Sequence, residues 1–378
     1  MAVISQIDAY AVTAGVSLRW TEHAGQGYLT TTIVVVTDSE GTTGIGAYDG
    51  FTPGPGDLSV LASVGSLADA VLGRETDCQE RLLQDLRVGV VFPFPIAALS
   101  AIDIALWDLA AKRRGLPLCD LLGRARDQIA AYASLPTMGA EEDYVEVVGR
   151  AQADGLQAVK VHAWGDPAKD IKLLKRLRTE YPALTLMHDA EGVYDHRAAQ
   201  KVAEALEALN YRWFEAPLPD FDLSGYRELR GRVTIPVLPA GYAMWDLRQF
   251  AEALRDSPWS AVRGSVGGLG VSGLHKLMLL AAAFGLDLEP VSYGGSLVQT
   301  AGLHVMLSAT NCDYFELPYP MDPWEVGTRN PIRPDAHGLV RAPDGPGLGV
   351  EVDWEYVENH CSGRVSAGAT REPKLVTV

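Results

Sequence analysis

The 378-residue sequence predicts an α/β protein, with a (β/α) barrel behind a smaller N-terminal region. Three observations carry this. From about residue 128 to about 320, short apolar segments alternate with helix-like stretches of roughly 11–15 residues, and alternation at this count favours a barrel over an open sheet. Three consecutive apolar segments between Ala158 and Pro217 end in charged groups, as parallel strands do when their C-terminal ends carry chemistry. The chain opens with alternating apolar runs separated by turn residues, the signature of an antiparallel meander. A chain of this length exceeds one ordinary core, so two domains are expected.

In order, residues 2–12 read as a strand, 29–38 as a second strand rich in Thr and Val, and 42–47 as a third after the turn at Gly41. The loop at 13–28 carries Trp20, His23 and Tyr28. The stretch 48–56 is too rich in Gly and Pro for regular structure and reads, with Tyr48 and Phe51, as a mobile lid. Residues 58–90 read as helices, and 95–112 as a strongly apolar helix stopped by Gly115-Leu-Pro117. Barrel strands are expected at 129–135, 157–162, 184–189, 212–216, 234–239, 261–265, 286–292 and 313–317. The helices between them fall at 140–153, 167–180, 196–208, 246–256, 270–284 and 297–309. The last 60 or so residues are rich in Pro and Gly, alternate again near 348–356, and are expected to pack back on the N-terminal domain.

A net charge of −16 without a basic run excludes nucleic acid as a partner class. An anionic substrate would then need a local positive centre. Cys78, Cys119, Cys312 and Cys361 lack metal-like spacing and read as buried free thiols in a reducing compartment. The N-terminus has no secretory pattern and no stretch approaches membrane-spanning length, so no membrane partner and a cytoplasmic location are expected.

Side chains alternate across a strand, so Lys160 and His162 share a side, as do Asp189 and Glu191. Asp189 and Glu215 close consecutive strands, where their carboxylates can converge as hard oxygen ligands suited to Mg²⁺. A Lys or His beside such a centre suits abstraction of a proton alpha to a carboxylate. Blander readings stand for the neighbours. His188 faces away and packs, Asp166 caps the helix that opens at Pro167, and His196, His275, His304, His337 and His360 lack ligand spacing. Gly267-Gly268-Leu-Gly270 is not a dinucleotide fingerprint, though it could seat an anion at a helix N-terminus.

The chain resembles the enolase superfamily, close to the mandelate racemase and muconate lactonizing enzyme group, over nearly its whole length. The resemblance rests on Ala101-Ile-Asp-Ile-Ala-Leu-Trp-Asp108, Gly115-Leu-Pro-Leu, Leu122-Gly123, the Lys-x-His at 160–162, Asp189, Phe214-Glu-Ala-Pro217 and Gly267-Gly268. It implies a modified TIM (β/α) barrel with an N-terminal α+β capping domain completed by the C-terminal tail. The implied division is 1–127, 128–320 and 321–378. The loops at 15–28 and 48–56 would cover the substrate, with Trp20 among the residues touching it, and a homo-oligomer is the usual assembly.

The resemblance makes Asp189 and Glu215 the first two Mg²⁺ ligands. The third should follow Ala240-Gly241, where this chain has Tyr242, a poor Mg²⁺ ligand left to the substrate side; Glu191 or Asp246 could fill in. His162 stands where the group commonly has a second catalytic Lys. Arg263, on the sixth strand, suits binding a carboxylate. The seventh strand offers Val291 and Tyr293 but no His, which disfavours a two-sided racemase. Glu316 matches an acid that hydrogen-bonds the developing enediolate. The leading reading is a Mg²⁺-assisted dehydratase acting on a small hydroxy acid or acid sugar, with Lys160 or His162 as base and the same residue or Tyr293 assisting loss of water. A racemase or epimerase, and a carboxylate-binding barrel without metal catalysis, are the alternatives.

Overall fold

A computed structural model of the chain describes residues 2–18, 26–89, 95–162, 164–368 and 371–377. The opening meander forms as β1 (Ile4–Leu18), β2 (Gly27–Asp38) and β3 (Thr43–Thr52), all antiparallel. β3 overruns its expected end. Tyr48, Asp49 and Phe51 lie within the strand, paired to β2 from Thr37↔Thr43 to Tyr28↔Thr52. Local Gly and Pro content predicts loop here, and the long pairing partner overrides it by satisfying the backbone.

Two helices, α1 (Ser59–Val71) and α2 (Gln79–Gly89), lead to α3 (Ile96–Arg113) and the single turn α4 (Leu118–Leu121). The apolar α3 is buried along most of its length because it lies flat on β3. The approach is close enough that a Cβ at Gly44 would sit 2.1 Å from Ala105 O, and one at Gly46 2.1 Å from Ala101 O. Only glycine fits there.

The barrel strands are β4 (Ile129–Leu135), β5 (Ala158–His162), β6 (Thr185–Asp189), β7 (Phe214–Glu215), β8 (Val237–Leu238) and β9 (Tyr314–Pro318). They pair in parallel in that order up to β8, and β9 pairs back onto β4. Segments 261–265 and 286–292, expected as strands, are held by isolated parallel bridges at Val262↔Leu288 and Ser265↔Val291. Ser260 N donates to Val237 O and Leu288 N to Asn311 O, which carries the ring from β8 to β9. The helices are α5 (Glu141–Ala153), α6 (Pro167–Glu180), α7 (His196–Ala208), α8 (Leu223–Arg230), α9 (Leu247–Arg255), α10 (Val266–Ala283) and α11 (Ser296–Leu307). Asp166 caps α6 as expected, accepting from Ala168 and Lys169 N–H. The short α8 is an addition to the expected set.

The C-terminal segment touches both regions. Strand β10 (Leu339–Val340) pairs with the start of β4, and α12 (Trp354–Asn359) follows. Strands β11 (Cys361–Gly368) and β12 (Arg371–Thr377) then extend the N-terminal sheet in the order β12-β11-β1-β2-β3. The alternation near 348–356 is therefore not the strand that returns; β11, further on, lies beside β1.

Two further expectations need correction. Cys119 and Cys312 are buried, but Cys78 is exposed and Cys361 half-buried; all four are free. Helix α10 has the length and apolar composition to cross a bilayer, contrary to the sequence reading, yet 56% of it is buried inside this fold. It packs against α3, α9 and α11.

Candidate active site

Strand alternation builds the site in layers. Tyr132, Ala158, Met187, Trp213, Leu238 and Ala261 fill the barrel interior as an apolar floor. One inward step further along their strands stand Ser134, Lys160, Asp189, Glu215 and Arg263, with Glu316 one step past Tyr314. These six are buried. His162 lies a further step out on β5. Above them is a cavity of about 700 Å³ between the barrel mouth and the N-terminal domain.

Lys160 is the hub. Its Nζ lies 3.1 Å from Asp189 Oδ2, 3.0 Å from Glu215 Oε1 and 2.7 Å from Glu316 Oε1. Arg263 Nη2 lies 2.6 Å from Glu215 Oε1 and 3.1 Å from Glu316 Oε2, while Nη1 donates to Glu289 O. Ser134 Oγ donates to Glu316 Oε1 at 2.9 Å. His162 Nδ1 is 2.7 Å from Leu135 O, so that nitrogen carries the proton and Nε2 faces the cavity. Nε2 is 3.1 Å from both Asp189 Oδ2 and Glu191 Oε1.

Protonation follows from this packing. Burial works to lower Lys160, but Glu215, Glu316 and Asp189 outweigh it and hold the ammonium well above its ordinary value. Burial also opposes charge on His162, yet Asp189 and Glu191 raise it to about 10. Burial would raise Glu316, and Lys160 and Arg263 bring it down to about 2. Glu215 is pushed up to about 8 by burial, against the pull of Arg263. Among the described residues its Oε2 is buried with no hydrogen-bond partner. Four carboxyl groups (Asp189, Glu191, Glu215, Glu316) thus meet two permanent cations, and protons on His162 and Glu215 make up the difference.

The remaining expectations sort as follows. Tyr242 and Tyr293 line the cavity, Tyr242 with 56% of its surface exposed. Burial, then Glu316, keeps the Tyr293 phenol protonated far above its ordinary range. Asp246 is removed as a candidate ligand, because it caps α9 by accepting from Arg248 N–H. His188 packs as expected, stacked on Phe214 at 5.5 Å with burial holding it down to about 4. Trp20 and His23 lie outside the described residues. Ser134 and Asp49 escaped the sequence reading. Asp49 faces the cavity and accepts from Gly295 N–H at 2.6 Å and Thr31 Oγ1 at 2.6 Å, joining β3 to the start of α11.

The mandelate racemase/muconate lactonizing enzyme N-terminal domain matches residues 7–123, and the enolase C-terminal domain-like family matches residues 143–357. This chain belongs to the enolase superfamily. A superfamily structure from Pseudovibrio sp., assigned to the mandelate racemase/muconate lactonizing enzyme group, superposes with a TM-score of 0.94 at 31% identity, covering 97% of this chain and 99% of that one. The o-succinylbenzoate synthase of Geobacillus kaustophilus is 30% identical over 269 residues, 70% of each chain. D-glucarate dehydratase from Agrobacterium tumefaciens, solved with magnesium, has a TM-score of 0.83 at 25% identity, covering 95% of this chain and 99% of that one. Other relatives are dehydratases, cycloisomerases and a racemase. The chain is accordingly a superfamily enzyme of the lyase or isomerase kind, with a capping domain and a TIM-like barrel.

The donor set here can be tested for magnesium. Asp189 and Glu215 end adjacent strands as register partners, and Glu215 Oε2 is a buried acceptor without a donor. His162, Asp189 and Glu191 offer further ligand atoms within 4.8 Å of one another. Hard oxygens around a charge deficit of two fit a divalent cation. Tyr242 does not contribute to that fit.

Proposed function

We propose that this enzyme is a dehydratase: it removes the proton alpha to the carboxylate of a small hydroxy acid and expels the beta-hydroxyl as water. Asp189 and Glu215 would hold a magnesium ion, which when bound supplies positive charge to the substrate carboxylate. His162 Nε2 is the base. The Leu135 carbonyl fixes its tautomer, and drawing Asp189 and Glu191 away from it would lower its affinity for protons into the working range. Lys160 stays protonated among three carboxylates, so it contributes charge rather than basicity. Arg263, Lys160 and Glu316 line the place where the enediolate develops. The alpha C–H pair becomes the new double bond, the beta C–O bond breaks, and the Tyr293 phenol donates the proton that completes the water.

The observation that supports elimination is the wall opposite His162. It presents Val291 and Tyr293, and among the described lining residues it has no second histidine or lysine. A phenol held far above its ordinary pKa stays protonated and is not available as a second base, so deprotonation is one-sided. The test is incubation with candidate 2,3-dihydroxy acids in deuterated buffer, trapping the 2-keto acid to which the enol formed by elimination tautomerises. Elimination with a normal His162-dependent rate is expected, and His162→Asn should lose about 10²–10⁴-fold. Recovered substrate of inverted configuration, deuterated at the alpha carbon and without keto product, would replace this reading by epimerisation.

A further inference from the structure

We propose that Glu191 supplies the third carboxylate of the divalent-cation site, together with Asp189 and Glu215, in place of the fifth-strand acid whose position Tyr242 occupies. The inference rests on the magnesium reading above and extends it to a residue outside the expected ligand pair.

Position is the first argument. Glu191 lies two residues beyond Asp189, where the chain leaves β6 and turns. It takes a φ of +53°, unusual for a side-chain-bearing residue. Its N–H donates to Asp189 Oδ1 at 3.0 Å, and Gly192 N donates to Ala216 O at 2.7 Å, which pins the turn to the residue after Glu215. All three acids face the same cavity. Asp189 and Glu215 are sealed, whereas the Glu191 side chain is 28% exposed and forms the open side of the set.

Charge is the second argument. His162 alone is a thin partner for Glu191, since Asp189 already shares its Nε2. A fourth carboxylate at the mouth of a cavity that must admit an anionic substrate is a liability unless a cation sits on it. Glu215 Oε2 is buried, lines the cavity, and has no hydrogen-bond partner among the described residues. A buried carboxyl oxygen left without a partner is an acceptor that a cation would satisfy, in exchange for the proton Glu215 otherwise carries.

Manganese(II) titrations of the purified protein without substrate, followed by electron paramagnetic resonance and calorimetry, test this. The wild type should bind one ion. Glu191→Gln should weaken binding roughly tenfold or more, Glu215→Gln likewise, and Tyr242→Phe less than about twofold. In Glu191→Gln, adding Tyr242→Glu should restore part of the loss by returning the acid to the fifth strand. Thermal unfolding and circular dichroism confirm that each near-isosteric variant is folded. Unchanged affinity in folded Glu191→Gln overturns the proposal, as does a wild type that binds no manganese. A loss in His162→Asn as large as that in Glu191→Gln, with none in Glu215→Gln, also overturns it, placing the ion on His162, Asp189 and Glu191. The keto-product assay reads the dehydratase proposal separately, so either can fail while the other stands.

Discussion

Lys160 touches three carboxylates within 3.1 Å from a fully buried position, which makes it the residue whose loss the site tolerates least. Removing one partner of a buried ion network leaves charge uncompensated. Lys160→Met should therefore lower the unfolding free energy by about 3–5 kcal/mol in guanidinium titrations. His162→Asn keeps the three contacts of Lys160 and should cost less stability than Lys160→Met while losing turnover. A Lys160→Met variant as stable as the wild type would show that this network does not carry the stability assigned to it. Much of this site is legible in the sequence, because strand alternation alone places Lys160 with His162 and brings Asp189 beside Glu215. Ser134 and Asp49 are not. A single serine in an apolar strand has no pattern, and the partners of Asp49 at Gly295 and Thr31 are set by how the two regions meet.

Helices α3 and α10 carry the junction between the regions. The buried acid Asp103 on α3 accepts from Ser272 N–H at 2.9 Å and from Ser272 Oγ at 2.7 Å. Trp107 Nε1 donates to the same hydroxyl. Burial is the largest influence on Asp103 and raises it to about 6, although Ser272 and the nearby Arg87 favour ionisation. Below an ordinary pKa of 3.8 the carboxyl is neutral folded or unfolded. Between 3.8 and about 6 the unfolded chain releases its proton while the folded chain keeps it, so this contribution falls as pH rises, by on the order of 3 kcal/mol in all. Asp103→Asn should remove that part of the pH dependence between pH 4 and 7; parallel slopes in the two proteins would show that Asp103 is not its source. Across the junction, Gly270 has φ 66° and ψ −179°, and a Cβ there would stand 2.1 Å from Asp103 Oδ2. Gly270→Ala should cost on the order of 3 kcal/mol, read as a lower urea midpoint. The Gly267-Gly268-Leu-Gly270 stretch is conspicuous in the sequence, but its last glycine answers to a helix some 160 residues earlier in the chain, which no local pattern reveals. The same limit explains β3, whose glycine-rich end is ordered by β2, whereas the barrel strands, defined by their own apolar runs, are readable one by one.

At the scale of the whole molecule, the cavity is two-faced. Its barrel side is charged, whereas its N-terminal side, the loop before α9 and the start of α10 bring Phe51, Val60, Ile96, Met244, Trp245 and Leu269 against it, with Tyr48, Asp49, Ser59 and Ser63 as the polar exceptions. Every cation among the described lining residues, Lys160, Arg263 and His162, stands at the barrel end and is already paired with a carboxylate. On the dehydratase reading, the substrate carboxylate would sit at the barrel end with the metal, and the rest of the ligand would meet apolar surface. A polyhydroxylated chain would strip its hydroxyls of water against those side chains without replacing the lost hydrogen bonds, which costs binding. An alkyl or aryl substituent gains instead, at about 0.8 kcal/mol per buried methylene, or about fourfold in affinity. Of the two substrate classes the sequence leaves open, the expected outcome is a preference for a hydroxy acid with an apolar tail over an acid sugar. In a series of 2,3-dihydroxy acids of increasing alkyl length, kcat/KM should rise about fourfold per methylene until the roof is filled. Trp245→Ser should flatten that slope while leaving the shortest substrate nearly unchanged. Faster turnover of a hexonate or hexarate than of its deoxygenated counterpart would show that the roof does not select in this way.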